Sequence, residues 1–253
     1  MNIATLLYGA QADETPPAGG KPDVRVVFWI SVTFYLLMGL GVCLLGRVTP
    51  PPRPDVGMPE IQAWYHQHAP TIQIGFVMLL VITGGAAISN GLIGYHMKRM
   101  SSGSVLAYGY IGAMAVGAVP GFQLMMLCYL LAVFRADRDP ELVRFFYDLG
   151  TLTYNGSLGC FTAAYFCLAL AIFYDKNQIF PKWFAYITVW QIVTEVIATQ
   201  MWLFESGAFS WNGIISFYIA VVIFAAWIGL IFPIMWVTGK REAPEVVAGQ
   251  VDD

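Results

Sequence analysis

The chain has 253 residues, of which 58% are apolar and 11% charged, with a net charge of −3. Soluble domains carry about a quarter charged residues, so this composition excludes an ordinary soluble enzyme and points to a bilayer as the solvent. The small net charge offers no basic surface to nucleic acid.

Residues 1–25 read as an N-terminal polar tail. Its opening, MNIATLLYGAQA, has no basic start and only a short apolar stretch. It is unlike a secretory signal and is expected to be retained, lying on the membrane surface. Six apolar runs follow, at residues 26–46, 71–97, 104–134, 149–174, 183–204 and 211–239, each with the roughly 20 residues a membrane helix needs. The predicted fold is all-α: a polytopic membrane protein whose residues 26–239 form a six-transmembrane-helix bundle, followed by a cytoplasmic polar tail at 240–253. The loops between the runs are too short for a soluble catalytic domain.

Basic residues near span ends set orientation. With the N-terminus inside, Lys21, Arg25, Lys98, Arg99, Lys176, Lys182, Lys240 and Arg241 lie inside, and Arg47, Arg53, Arg135, Arg138 and Arg144 outside. The excess places both termini in the cytoplasm, and the membrane is expected to be a bacterial inner membrane.

In the first outer loop, Pro50-Pro51-Pro52-Arg53-Pro54 favours an extended polyproline path. Met58-Pro59-Glu60 then reads as a helix start, with Pro and an acid in the first turn. Ile61, Trp64 and Tyr65 follow at helical spacing, which predicts a short interfacial helix with its aromatics at headgroup level. His66 and His68 point to different faces of a helix and read as solvated loop residues. In the second outer loop Asp139 is a candidate N-cap, with Pro140 as the first helical residue. Arg144 and Asp148 fall four apart on the helix that follows and can pair at the surface.

Lipid gives helices no hydrophobic drive to associate, so small residues must let backbones approach. Gly109, Ala113, Gly117 and Gly121 recur at intervals of four in the third span; Gly84, Gly85, Ala86 and Ala87 crowd the second; Gly156 and Gly159 mark the fourth. Pro120 frees the carbonyl of Val116 and predicts a kink. Cys43, Cys128, Cys160 and Cys167 lie inside spans and read as small apolar fillers.

Glu195 is the one carboxylate or basic residue in the central part of any span, and a mid-membrane acid is costly. Thr188, Gln191, Glu195, Thr199 and Trp202 fall three and four apart and are expected to share a face turned toward protein. Gln123, Tyr154, Asn155, Ser216 and Tyr218 on other spans, and Gln200 on the same one, come to similar depth, which predicts one polar cluster open to the outer side. Trp190 and Trp227 are deep enough to line a pocket. The candidate ligand-binding residues are thus Glu195, Gln191, Gln123, Asn155, Tyr154, Thr199 and Trp190. Desolvation favours a neutral Glu195 able to donate a hydrogen bond or act as an acid.

No histidine pair lies within the spans, and no phosphate-binding glycine loop, nucleophile elbow or metalloprotease motif is present. No cofactor, metal or nucleotide is expected. Three readings follow. The first is a non-catalytic integral subunit or accessory protein of a larger membrane assembly, partnered by other membrane subunits and holding a hydrophobic small molecule. The second is a small-molecule carrier with a Glu195-centred site. The third is a membrane enzyme of isomerase or cyclase type on a lipid-like substrate, with Glu195 as general acid and Asp148 as the other catalytic candidate.

Overall fold

A backbone in lipid must satisfy its polar groups within its own segment, and every apolar run is accordingly helical. The computed structural model describes residues 3–8, 21–137, 139–156 and 158–241, with no strand among them. Helix α1 is Ile3–Tyr8, and α2 (Pro22–Gly39) runs on through a π-helical segment at Leu40–Leu45. Helices α3 (Met58–Ile82) and α4 (Gly84–Lys98) meet at a bend of 46°. Helix α5 (Ser104–Ala118) passes through a second π segment, Val119–Gln123, into α6 (Leu124–Phe134). Helices α7 (Pro140–Gly156), α8 (Leu158–Tyr174) and α9 (Lys182–Ala198, then a 3-10 turn Thr199–Trp202) follow, and a third π segment, Ile214–Ile219, leads into α10 (Ala220–Lys240).

Four helical runs are long and apolar enough to cross a membrane: Pro22–Leu45, Ser104–Phe134, Pro140–Tyr174 and Ile214–Lys240. The bent pair of α3 and α4 makes a fifth when taken as one span. This measure does not confirm a count of six. The run at residues 183–204 is helical as α9, but Gln191, Thr194 and Glu195 interrupt its apolar character. The interfacial helix is also not a separate element. Helix α3 starts at Met58 with Pro59 and Glu60 in its first turn, then continues through Pro70 to Ile82. At Pro120 the chain takes the π segment rather than breaking, which accommodates the missing proline N–H within a continuous helix.

Successive runs alternate in direction, so the bundle has two ends. The near end carries α1, the α4–α5 turn, the α8–α9 loop and the end of α10. The far end carries residues 47–57, the α6–α7 loop and residues 203–213. The apolar core is divided along this axis. One buried cluster, with Phe28, Met97, Tyr110, Tyr165, Phe184 and Trp227, fills the near half. Another, with Phe76, Met126, Tyr129, Tyr147, Met201 and Trp211, fills the far half. On the flanks, Leu36, Val81, Val116, Phe166 and Val222 are exposed, an apolar surface of the kind lipid covers.

Small residues set the helix spacing. A Cβ on Gly117 would lie 2.9 Å from Cys160 Cβ, and one on Gly109 would lie 3.0 Å from Cys167 Sγ. The seam between α5 and α8 is thus glycine against cysteine, and the seven-residue spacing of the two thiols is its register. A Cβ on Gly85 would meet Phe34 at 2.6 Å. Gly84 and Gly159 have nothing within 4 Å and do not contribute to close packing.

Side chains tie both ends. At the far end Arg144 Nε donates to both oxygens of Asp148 (2.7 and 2.9 Å) while its Nη atoms donate to the carbonyls of Val56 and Pro54. Tyr147 Oη and Trp211 Nε1 both donate to Pro52 O, at 2.5 and 2.8 Å. The proline-rich segment is thereby strapped across the bundle. Asp139 Oδ1 accepts from Glu141 N at 2.9 Å, the expected N-cap. At the near end the buried Asp175 accepts from the backbone N–H groups of Ser101, Asn177 and Ile179 (2.9, 2.9 and 2.7 Å). Lys182 Nζ donates to the carbonyls of Ile172, Phe173 and Asp175, capping the end of α8. Leu7 of α1 is buried, and its carbonyl accepts from Trp183 Nε1 at 3.1 Å. Residues 9–20 of the N-terminal tail and 242–253 of the C-terminal tail lie outside the described residues.

Candidate functional site

Helix α9 presents Phe184, Thr188, Gln191, Thr194, Ala198 and Met201 to the bundle as its buried face. That face follows a seam near 3.5 residues per turn. Past Ala198 the helix tightens into the 3-10 turn Thr199–Trp202, whose three residues per turn shift the phase of its side chains. Thr199 and Trp202 accordingly turn outward and are exposed, and Thr199 Oγ1 donates only to its own Val196 O. Thr194, Ala198 and Met201 take the inward places.

Three polar groups of this face find partners. Thr188 Oγ1 donates to Phe184 O at 2.9 Å and accepts from Trp227 Nε1 at 3.1 Å. Thr194 Oγ1 donates to Gln191 O at 2.9 Å. Gln191, 1% exposed, donates through Nε2 to Glu195 Oε1 at 2.6 Å. The other oxygens of that pair, Gln191 Oε1 and Glu195 Oε2, are buried and have no hydrogen-bond partner. Glu195 as a residue is half-buried, so its stem is not sealed on every side.

Two phenols lie within electrostatic range of the carboxyl. Tyr154 on α7 and Tyr165 on α8 are close enough to feel its charge. Among the described residues neither hydroxyl is committed to a hydrogen bond. Tyr165 belongs to the near core and stacks edge-on against Trp227, with ring centroids 5.2 Å apart. Tyr154 packs on the far core and lies 6.2 Å from the ring of Phe122. The carboxyl of Glu195 thus stands where the two halves of the apolar core meet.

The other predicted site residues fall elsewhere. Gln123 is half-buried without a hydrogen bond. Trp190 is 58% exposed on the flank and lines no interior pocket, because it lies a quarter turn from the buried seam. Tyr218 is exposed, and Ser216 Oγ donates to Phe209 O. The side chain of Asn155 lies outside the described residues. Asp148 is held by Arg144 at the far end, and its other charged neighbour is Glu205 rather than Glu195. A surface cleft of about 460 Å³ opens at the far end between Arg53–Asp55 and residues 206–214, away from α9's polar face. Among the described residues no three His, Cys, Asp or Glu side chains gather as a metal site.

Sequence reasoning missed Tyr165. Its signal was the eleven-residue interval from Tyr154, three helical turns, which puts both phenols on one side of the α7–α8 run. Asp175 was also missed: two of the backbone N–H groups it collects are local, Asn177 and Ile179, but the third, Ser101, comes from a turn 74 residues away.

Comparison with protein-family models, with curated proteins and with solved structures finds no match to this chain.

Proposed function

We propose that the chain is a non-catalytic multi-pass membrane protein that holds a small hydrophobic molecule against Glu195, with α9 as a sixth crossing and both termini cytoplasmic. A single feature supports the ligand: Glu195 Oε2 and Gln191 Oε1 are both buried and without a hydrogen-bond partner among the described residues, and with the carboxyl ionised both are acceptors. Each unmade bond costs about 1–3 kcal/mol. A pair whose task was to join helices would meet a donor across the interface, whereas this pair bonds only within α9. The complement of two idle acceptors is a molecule that brings donors. Catalysis would need a second acid or base beside Glu195, and Asp148 is engaged by Arg144.

Stability measurements separate holding a ligand from holding helices. The double substitution Gln191→Leu with Glu195→Leu removes both idle acceptors together with the bond between them. It is expected to melt at or above the wild-type temperature in detergent. A lowered melting temperature would return the pair to a purely structural role. For the crossings, cysteine labelling from outside intact cells is expected to reach positions 53 and 206 and not 101 or 177. The reverse pattern would invert the topology. The mass of the gently purified particle decides between a free-standing carrier and an accessory subunit of a larger assembly.

A further inference from the structure

We infer that the molecule held at Glu195 is a lipophilic organic ammonium, an apolar body carrying an amine with N–H donors; this rests on the ligand reading above. Charge is the first ground. The carboxyl makes no ion pair with any described Lys, Arg or His, and Gln191 is the one side chain hydrogen-bonded to it. Lys182, the basic residue nearest in the chain, is committed at one bundle end to the carbonyls of α8, and Arg144 at the other end to the proline-rich strap. A mid-span acid normally pairs with an opposite charge or with backbone groups, and here the protein supplies neither to Oε2.

The walls are the second ground. Tyr154 and Tyr165 are near enough to feel the carboxyl's charge, and each packs on a further aromatic ring, Phe122 and Trp227 respectively. The negative faces of aromatic rings attract a cation, most strongly where water is absent. In the ionised form, which a bound cation favours, a carboxylate with aromatic rings nearby is complementary to an ammonium, and it repels an anion.

The donor count is the third. Two acceptors from adjacent turns of one helix, Gln191 Oε1 and Glu195 Oε2, are unfilled. A neutral alcohol has one O–H and fills one of them. A primary ammonium carries enough N–H groups for both, and its charge is matched by the carboxylate. The apolar body then lies along the join between the near and far cores, where Tyr165 belongs to one cluster and Tyr154 packs on the other.

The test holds the body constant and changes the head. 4-Phenylbutylamine, 4-phenylbutanol and 4-phenylbutyrate are titrated into the full chain in neutral phosphatidylcholine nanodiscs, with tryptophan fluorescence as the readout. The same titrations are run on Glu195→Gln and Glu195→Asp. The amine is expected to bind wild type at least about tenfold more tightly than the alcohol, a difference of about 1.4 kcal/mol, with the butyrate weakest. Glu195→Gln should abolish the preference, and Glu195→Asp, which keeps the charge on a shorter stem, should retain it at lower affinity. Tyr154→Leu should weaken the amine more than the alcohol. If amine and alcohol bind equally and both depend on Glu195, the site stands and the ammonium assignment is overturned. If no compound shows dependence on Glu195, the site itself falls. Should Glu195→Gln fail to fold, the Glu195→Asp and Tyr154→Leu titrations still decide between these outcomes.

Discussion

The seam between α5 and α8 positions Tyr165, and two glycines of α5 allow it to be tested with an internal control. Gly117 faces the seam: an added Cβ would stand 2.9 Å from Cys160 Cβ and 3.1 Å from Phe161 Cε1. Comfortable carbon–carbon contact lies at about 3.5–4.0 Å, so α8 must retreat by roughly half an ångström or more to admit one methyl group. Gly112, on the same helix, has nothing within 4 Å of its Cβ position. Glycine to alanine in a helix interior is favourable by about 1 kcal/mol, and both substitutions share that gain. Only Gly117→Ala carries the overpacking cost of about 1–3 kcal/mol. The two variants should therefore differ by about 2 kcal/mol, which for a chain of this size separates their melting temperatures by about 4–8 °C. Gly112→Ala should melt at or slightly above wild type. Thermal unfolding of both proteins in the same detergent, followed by circular dichroism at 222 nm, reads the difference directly. If Gly117→Ala melts with or above Gly112→Ala, the glycine–cysteine seam is not a close contact, and the packing of α5 against α8 is refuted.

Three further outcomes follow from the ties at the bundle ends and in the near core. Arg144→Ala removes the donors to Pro54 O and Val56 O and leaves Asp148 without its partner; it should lower stability by about 3 kcal/mol and expose residues 50–57 to limited proteolysis, whereas an unchanged digestion pattern would show that the strap holds without it. Asp175→Asn turns an amide NH2 toward backbone donors that now meet carboxylate oxygens; a loss of about 2–3 kcal/mol is expected, with faster hydrogen exchange at the amides of Ser101 and Ile179. Trp227→Phe deletes the Nε1–H donor to Thr188 Oγ1 and should cost about 1–2 kcal/mol; once Thr188 is already valine that cost should shrink, and equal costs in both backgrounds would mean that the hydrogen bond contributes nothing.

Local relations were fully legible before any fold existed. The pairing of Arg144 with Asp148 and of Gln191 with Glu195 needs only a helix and an interval of four. The cap at Asp139 needs only a short acceptor one residue before a proline-led helix. The helices themselves are dictated by long apolar runs whose backbones have no water to bond with. Where polarity dilutes a run, as at Gln191 and Glu195, composition loses its grip, and α9 falls outside the set of helices apolar enough to cross by length and composition alone.

Non-local placement was another matter. Thr199 was assigned to the site on helical spacing and Trp190 on depth, but the 3-10 turn Thr199–Trp202 shifts the first outward and the second lies a quarter turn from the buried seam. Tyr165 reaches Glu195 because α8 and α9 are antiparallel neighbours, and Asp175 draws in Ser101 across 74 residues. Spacing along one helix fixes which residues share a face. Which face meets which neighbour depends on how close the backbones come, and that is decided by glycines such as Gly117 only once another helix lies against them.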